Sequence, residues 1–147
     1  MKKKGFTLIE IILVISLVFI ISAATIPSYS KFINGRKLQS DQNKLIENIR
    51  YARELAESGK NNSNFGVYFQ ESRYVLYQGE GYGNRDPSQD QIFDLSKNIE
   101  LSNLNEVNFE TGTSMPSTTG TLKITNTANE KFRNIKVNKE GLIYVSR

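Results

Sequence analysis

Apolar positions follow two rhythms in the first part of the chain. From Phe6 to Ile26 the sequence reads FTLIEIILVISLVFIISAATI, an apolar run of 21 residues in which Glu10 is the only charge. At about 1.5 Å of rise per residue, a helix of that length crosses roughly the 30 Å core of a bilayer. Further on, Leu38, Leu45, Ile49, Ala52 and Ala56 are spaced by 7, 4, 3 and 4, the pattern of one face of a helix. Lys37, Asp41, Lys44, Glu47, Arg50, Arg53, Glu54 and Glu57 are expected on its other faces. Pro27 and Gly35 predict a kink or a softened turn between the two halves. The helix should stop near Ser58, because Gly59 suits a C-terminal cap and Lys60 to Asn64 has loop composition.

After residue 64 the rhythm shortens to that of strands. Phe65 to Gln70 and Arg73 to Tyr77 read as a hairpin turning at Glu71 and Ser72. Glu106 to Glu110, Thr121 to Thr125, Phe132 to Val137 and Leu142 to Ser146 are further strands, the last two joined by Asn138, Lys139, Glu140 and Gly141. One long helix followed by short strands predicts an α+β fold: a long N-terminal α-helix, half membrane and half amphipathic, packed on an antiparallel β-sheet domain.

Composition removes many chemistries. The 147 residues include neither Cys nor His, which excludes a disulfide framework, a thiol nucleophile, an imidazole base and a His-ligated zinc. Scattered carboxylates, lysines, tyrosines and serines form no pairing with a mechanism, so the expectation is a protein that is not an enzyme and needs no cofactor. The formal charge of +4 is unevenly spread. Residues 1–27 carry +2, residues 28–60 carry +3, residues 61–119 carry −5 and residues 120–147 carry +4.

The amino terminus is unusual as a membrane segment. Fourteen of its residues are Leu, Ile, Val or Phe, contributing roughly −4 to −8 kcal/mol to insertion. A central carboxylate would offset on the order of 3 kcal/mol, and Glu10, near one end, less. Lys2, Lys3 and Lys4 place that end in the cytoplasm by the positive-inside rule, with the rest of the chain outside. A secretory signal peptide has a shorter apolar region and no reason for a carboxylate, although Ser22 and Ala24 could pass for its cleavage-site residues. A plain anchor leaves Glu10 unexplained. A buried core helix would need more protein around it than this chain holds.

Lys4-Gly5-Phe6-Thr7-Leu8-Ile9-Glu10, followed by the apolar run, resembles the class III signal of type IV pilins and type II secretion pseudopilins. The resemblance implies cleavage between Gly5 and Phe6 by a prepilin peptidase and N-methylation of Phe6. It also implies a filament in which Glu10 meets the Phe6 amine of a neighbouring subunit, delivered by an inner-membrane assembly platform. Physics agrees: Gly5 can lie extended in a protease cleft, and a carboxylate in an apolar medium needs a cation beside it. Ala52-Arg53 and the terminal pattern of Val137, Gly141, Ile143 and Val145 resemble the GspH/FimT family of minor pseudopilins. The implied organisation is a leader at 1–5, a membrane and filament-core helix at 6–27, a stem helix at 28–58 and a β-rich part at 59–147.

Two further sites follow from the resemblance. Residues 78–91, QGEGYGNRDPSQDQ, fail as a phosphate loop because Asn84 stands where the third glycine belongs and no helix follows. Some pseudopilins bind calcium in loops, which makes Glu80, Asp86 and Asp90 calcium candidates against the simpler expectation of a solvated acidic loop. Some FimT-type relatives take up DNA through basic carboxyl-terminal residues, here Lys123, Lys131, Arg133, Lys136, Lys139 and Arg147. The clustered Arg pair after the hairpin glycine is missing, with Leu142 and Ile143 in its place, so contact with an acidic neighbouring subunit is the preferred role. Residues 111–120 are a Ser/Thr/Gly connection without evident chemistry.

Overall fold

The computed structural model describes residues 5–113 and 115–146, the side chains of residues 23–34 excepted. Helix α1 is Leu8–Glu57, and eight strands follow: β1 Phe65–Phe69, β2 Arg73–Gln78, β3 Gln91–Asp94, β4 Ile99–Ser102, β5 Glu106–Phe109, β6 Gly120–Asn126, β7 Lys131–Val137 and β8 Ile143–Ser146. Helical backbone continues through Pro27 and Gly35, so neither ends the helix. The Pro27 side chain, and with it the expected kink, lies outside the described residues, as do Lys2, Lys3, Lys4 and Arg147. The helix stops where predicted, and Gly59 takes the left-handed conformation at φ 65° that a helix-ending residue without a Cβ adopts readily.

The chain divides into two compact units, Met1–Gly35 and Arg36–Arg147. In the second unit the strands form two four-stranded sheets, β3-β2-β1-β5 and β4-β6-β7-β8, every pairing antiparallel. The expected single sheet is therefore two. Strands β3 and β4 are missing from the sequence reading because each has four residues and only two large apolar side chains, too few for an alternating signal. Register puts Phe65, Val67, Phe69, Tyr74, Leu76, Val107 and Phe109 on the inner face of the first sheet, and Leu101, Leu122, Ile124, Ile135 and Val137 on that of the second. Leu38, Leu45, Ile46, Ile49, Ala52 and Ala56 of α1 join both sets in one core. Ala52 and Ala56 have no exposed surface, and their small side chains let the late helix approach closely.

Two charged side chains expected on solvent faces sit elsewhere. Asp41 is buried, and its carboxylate accepts the Ser96 N–H at 2.9 Å, tying α1 to the connection between β3 and β4. Arg53 is half-buried and donates from Nη1 to the Gly141 carbonyl at 3.1 Å, tying the late helix to the β7-β8 hairpin. Asp41 falls three residues after Leu38 and four before Leu45, so helical spacing already placed it on the apolar face. Its polarity misdirects the reading, because a carboxylate accepting a backbone N–H can be buried when an apolar neighbour cannot satisfy that donor.

Tyr74, beside this helix, accepts from Asn48 Nδ2 at 3.0 Å, and burial pushes its phenol up to about 12. Above its ordinary value near 10 the unfolded chain releases that proton while the folded chain keeps it. Stability that is complete below about pH 10 is therefore lost as the pH rises through about 12. The urea midpoint of residues 36–147 is expected to fall between about pH 9 and pH 11, and Tyr74→Phe to flatten part of that fall. Equal slopes for the two proteins would contradict this assignment.

Candidate processing and assembly site

At Gly5 an added Cβ would meet nothing within 4 Å. Among the described residues nothing crowds that position, so packing does not require glycine there. Phe6 is 86% exposed. Thr7 precedes the first helical residue, and three hydrogen bonds close around it. Its N–H and its hydroxyl each donate to Glu10 Oε2 at 2.8 Å, and the Glu10 N–H donates to Thr7 Oγ1 at 3.4 Å. This is a capping box, with Thr7 as N-cap and Glu10 at the third helical position. The carboxylate also lies at the positive end of the helix dipole.

Sequence reasoning gave Glu10 only an intersubunit role and passed over Thr7. The signal was present in Thr-x-x-Glu immediately before an apolar run, the spacing of a capping box. Beyond the cap, every large apolar side chain from Leu8 to Ile21 is at least half exposed. A helix stretch apolar on all sides and uncovered by its own chain is unusual for a surface helix, which keeps one polar face. Among the described residues no helix is long and apolar enough to cross a membrane. The described side chains of this run end at Ser22, short of the roughly 20 residues a span requires, while the run in the sequence continues to Ile26.

The loop between β2 and β3 is folded rather than simply solvated. Tyr82 stacks on Tyr68 at 3.7 Å between centroids, and the Arg85 guanidinium lies 3.8 Å from the Tyr82 ring centroid. Arg85 Nε donates to both Asp90 oxygens, at 3.0 and 2.9 Å, so Asp90 is committed to an ion pair, which holds the guanidinium above its ordinary pKa. Asp86 caps a single 3-10 turn, and bonds from the Ser88 hydroxyl and N–H hold its carboxyl below the usual range. Glu80 is exposed. These three calcium candidates do not converge, and no group of acidic residues among the described residues is arranged to hold a metal. The loop covers the outer face of the first sheet, which explains why Val75 and Tyr77 are buried although they point away from the core.

The basic candidates separate into two sets. Cross-strand register places Lys123 and Lys136 on the outer face of the second sheet, with Phe132 and Tyr144 on that same face. Lys123 Nζ sits 4.5 Å from the Phe132 ring centroid. Lys131 and Arg133 alternate to the opposite face, Lys139 lies in the turn before β8, and Arg147 is outside the described residues. The five cations among the described residues therefore form no single patch.

No curated protein and no solved structure matches the chain. Residues 1–26 match the prokaryotic N-terminal methylation motif, and that class III signal supports a type IV pilin-like protein.

Proposed function

We propose that this chain is a minor pilin or pseudopilin, a non-enzymatic structural subunit of a type IV pilus or type II secretion pseudopilus. A prepilin peptidase cuts between Gly5 and Phe6, the Phe6 amine is methylated, and the subunit waits in the cytoplasmic membrane with its amino terminus inside. An inner-membrane assembly platform then moves it into a filament beside other pilin subunits. The observation that carries this reading is the Gly5, Phe6 and Glu10 constellation at the head of a bare apolar helix, within the matched methylation motif. An anchor held by roughly −4 to −8 kcal/mol can be retained in a bilayer and still be withdrawn by a motor. The terminal hairpin residues support the GspH/FimT subtype, as a resemblance in sequence.

Intact-mass measurement on protein from native membranes tests the processing. The expected species begins at Phe6 and carries one methyl group. A chain that retains Lys2 to Lys4, or begins near residue 25, would remove the class III reading.

A DNA-binding pilin of a competence pilus is the second reading. It is favoured by two lysines and two exposed aromatics sharing the outer face of the second sheet, because bases stack on aromatic rings while lysines neutralise phosphates. A gel-shift with residues 36–147 at low and high salt separates the readings. Salt-sensitive retardation that weakens in Lys123→Ala/Lys136→Ala supports DNA uptake, whereas no shift at low salt removes it.

A further inference from the structure

The bond to be cut in the proposed processing, between Gly5 and Phe6, lies just ahead of a helix start. Gly5, Phe6 and Thr7 are non-helical, and α1 begins at Leu8. Among the described residues neither the Gly5 nor the Phe6 carbonyl accepts a backbone hydrogen bond, whereas the Thr7 carbonyl accepts the Ile11 N–H at 3.3 Å, the first bond of the helical series. No tertiary contact among the described residues holds this boundary. Phe6 is 86% exposed, and nothing lies within 4 Å of a Cβ built on Gly5.

Thr7 sets the boundary from both sides. In a helix extended toward the leader the Glu10 N–H would bond to the Phe6 carbonyl; here it donates to Thr7 Oγ1 at 3.4 Å. The Thr7 N–H, which a longer helix would use in its own ladder, donates instead to Glu10 Oε2 at 2.8 Å. Replacement caps are few. Between Thr7 and Ser16 there is no Ser, Thr, Asn, Asp or Gly, so the nearest other residue able to cap is Gly5, and glycine caps about as well as threonine. A cap moved to Gly5 makes Phe6 the first helical residue and ties the Gly5 carbonyl to the Ile9 N–H. The bond to be cut then sits inside a helical turn, whereas proteolysis favours exposed chain outside regular structure.

We propose that Thr7 is a positioning residue for the cut: its side-chain oxygen fixes the helix start at Leu8 and keeps Gly5 and Phe6 extended for the peptidase. This rests on the processing reading and adds to it the residue that presents the bond. Hydrolysis adds the hydroxyl of water to the Gly5 carbonyl carbon, breaks the bond to the Phe6 nitrogen and leaves the proton on the new amine. Thr7 takes no part in that step. It sets the fraction of chain in which the bond can be reached, so its loss raises KM and leaves kcat unchanged. Glu10→Leu retains the backbone N–H that Thr7 Oγ1 caps, so the boundary and the cut survive it.

The test uses the full chain in detergent micelles with a purified prepilin peptidase, loss of residues 1–5 being followed by intact mass at early times. Thr7→Val keeps the branched shape and removes the capping oxygen. Its KM is expected to rise about two- to fivefold at an unchanged kcat, the factor that a lost N-cap carries. Thr7→Ser and Thr7→Asn cap at least as well as threonine and should show the parent's KM or a lower one. Adding Leu8→Pro to Thr7→Val should restore the parent's KM with no hydroxyl present, because proline at the first helical position fixes the start and keeps residue 7 out of the helix. Given time every variant is cut completely, so initial rates and not filament yield carry the difference. A parental KM for Thr7→Val overturns the proposal and leaves the processing reading standing. A Thr7→Asn or a Thr7→Val/Leu8→Pro chain as slow as Thr7→Val also overturns it, because the peptidase is then reading the threonine itself. A parent chain that is never cut overturns the processing reading, and this role falls with it.

Discussion

Glu10→Leu is expected to keep the chain out of filaments while leaving cleavage after Gly5 intact. Two roles for this carboxylate now compete, and their magnitudes separate them. In the isolated helix Glu10 closes a capping box with Thr7, a contribution of about 0.5–2 kcal/mol. Losing it frays the first turn of a 50-residue helix and no more. In a filament core, removing the partner of a buried cation costs about 3–5 kcal/mol per contact, repeated at each subunit. Thr7→Ala should therefore assemble nearly as the parent does, because it loses the cap and keeps the charge. Glu10→Gln should fail as Leu does, because a neutral amide still suits the third position of a capping box but cannot neutralise an amine. Sheared-filament yield scored by immunoblot reads all three variants. Normal yield from Glu10→Gln would mean that capping, not charge pairing, is what Glu10 contributes to assembly.

Gly66→Val carries the largest expected loss of stability. Gly66 lies in β1 on the outer face of the first sheet, and an added Cβ would sit 2.5 Å from the Tyr77 hydroxyl oxygen and 2.8 Å from the Val107 carbonyl oxygen. Neither can retreat cheaply. Val107 is in the neighbouring strand β5, and the Tyr77 hydroxyl donates to Glu106 Oε2 at 3.0 Å and accepts from Asn108 Nδ2 at 3.0 Å. Glu106 also accepts the Tyr82 N–H at 3.1 Å, and Asn108 Nδ2 also donates to the Gly79 carbonyl at 2.9 Å. Displacing Tyr77 therefore releases the β2-β3 loop together with its Tyr68, Tyr82 and Arg85 stack. Overpacking of about 1–3 kcal/mol and a broken buried hydrogen-bond network of similar size sum to about 3–5 kcal/mol. The thermal midpoint of residues 36–147 should drop by more than about 10 °C. A drop of about 2 °C or less would mean that Tyr77 swings aside freely and that its network does not hold the loop.

The same cluster marks a limit of sequence reading. Tyr68, Tyr77, Tyr82, Arg85, Glu106 and Asn108 are dispersed over four elements, and nothing in their local spacing says that they meet. The acidic character of residues 78–91 is plain in the sequence, yet the partners that neutralise it are not. Asp90 looks available for a metal until Arg85 is seen against it, and Asp41 looks solvent-facing until the Ser96 N–H is found beneath it. Conversely, the apolar face of α1, the hairpin of β1 and β2 and the left-handed Gly141 at φ 72° in the β7-β8 turn are all legible, because each depends on contacts within a few residues.

By itself the amino-acid sequence carried the amino-terminal motif: a basic leader, Gly5, Phe6 and Glu10 ahead of an apolar run are a local string matched over residues 1–26, and a string needs no fold to be legible. It likewise determined the helix and most strands, whose periods of 3.6 and 2 are written locally. Tertiary structure alone decided that the strands divide into two sheets, that the β2-β3 loop is locked over one of them, and that the basic residues of the last strands point to different faces. Those outcomes depend on which distant backbone groups find partners, and a short edge strand such as β3 or β4 takes its shape from the neighbour it pairs with, not from its own four residues.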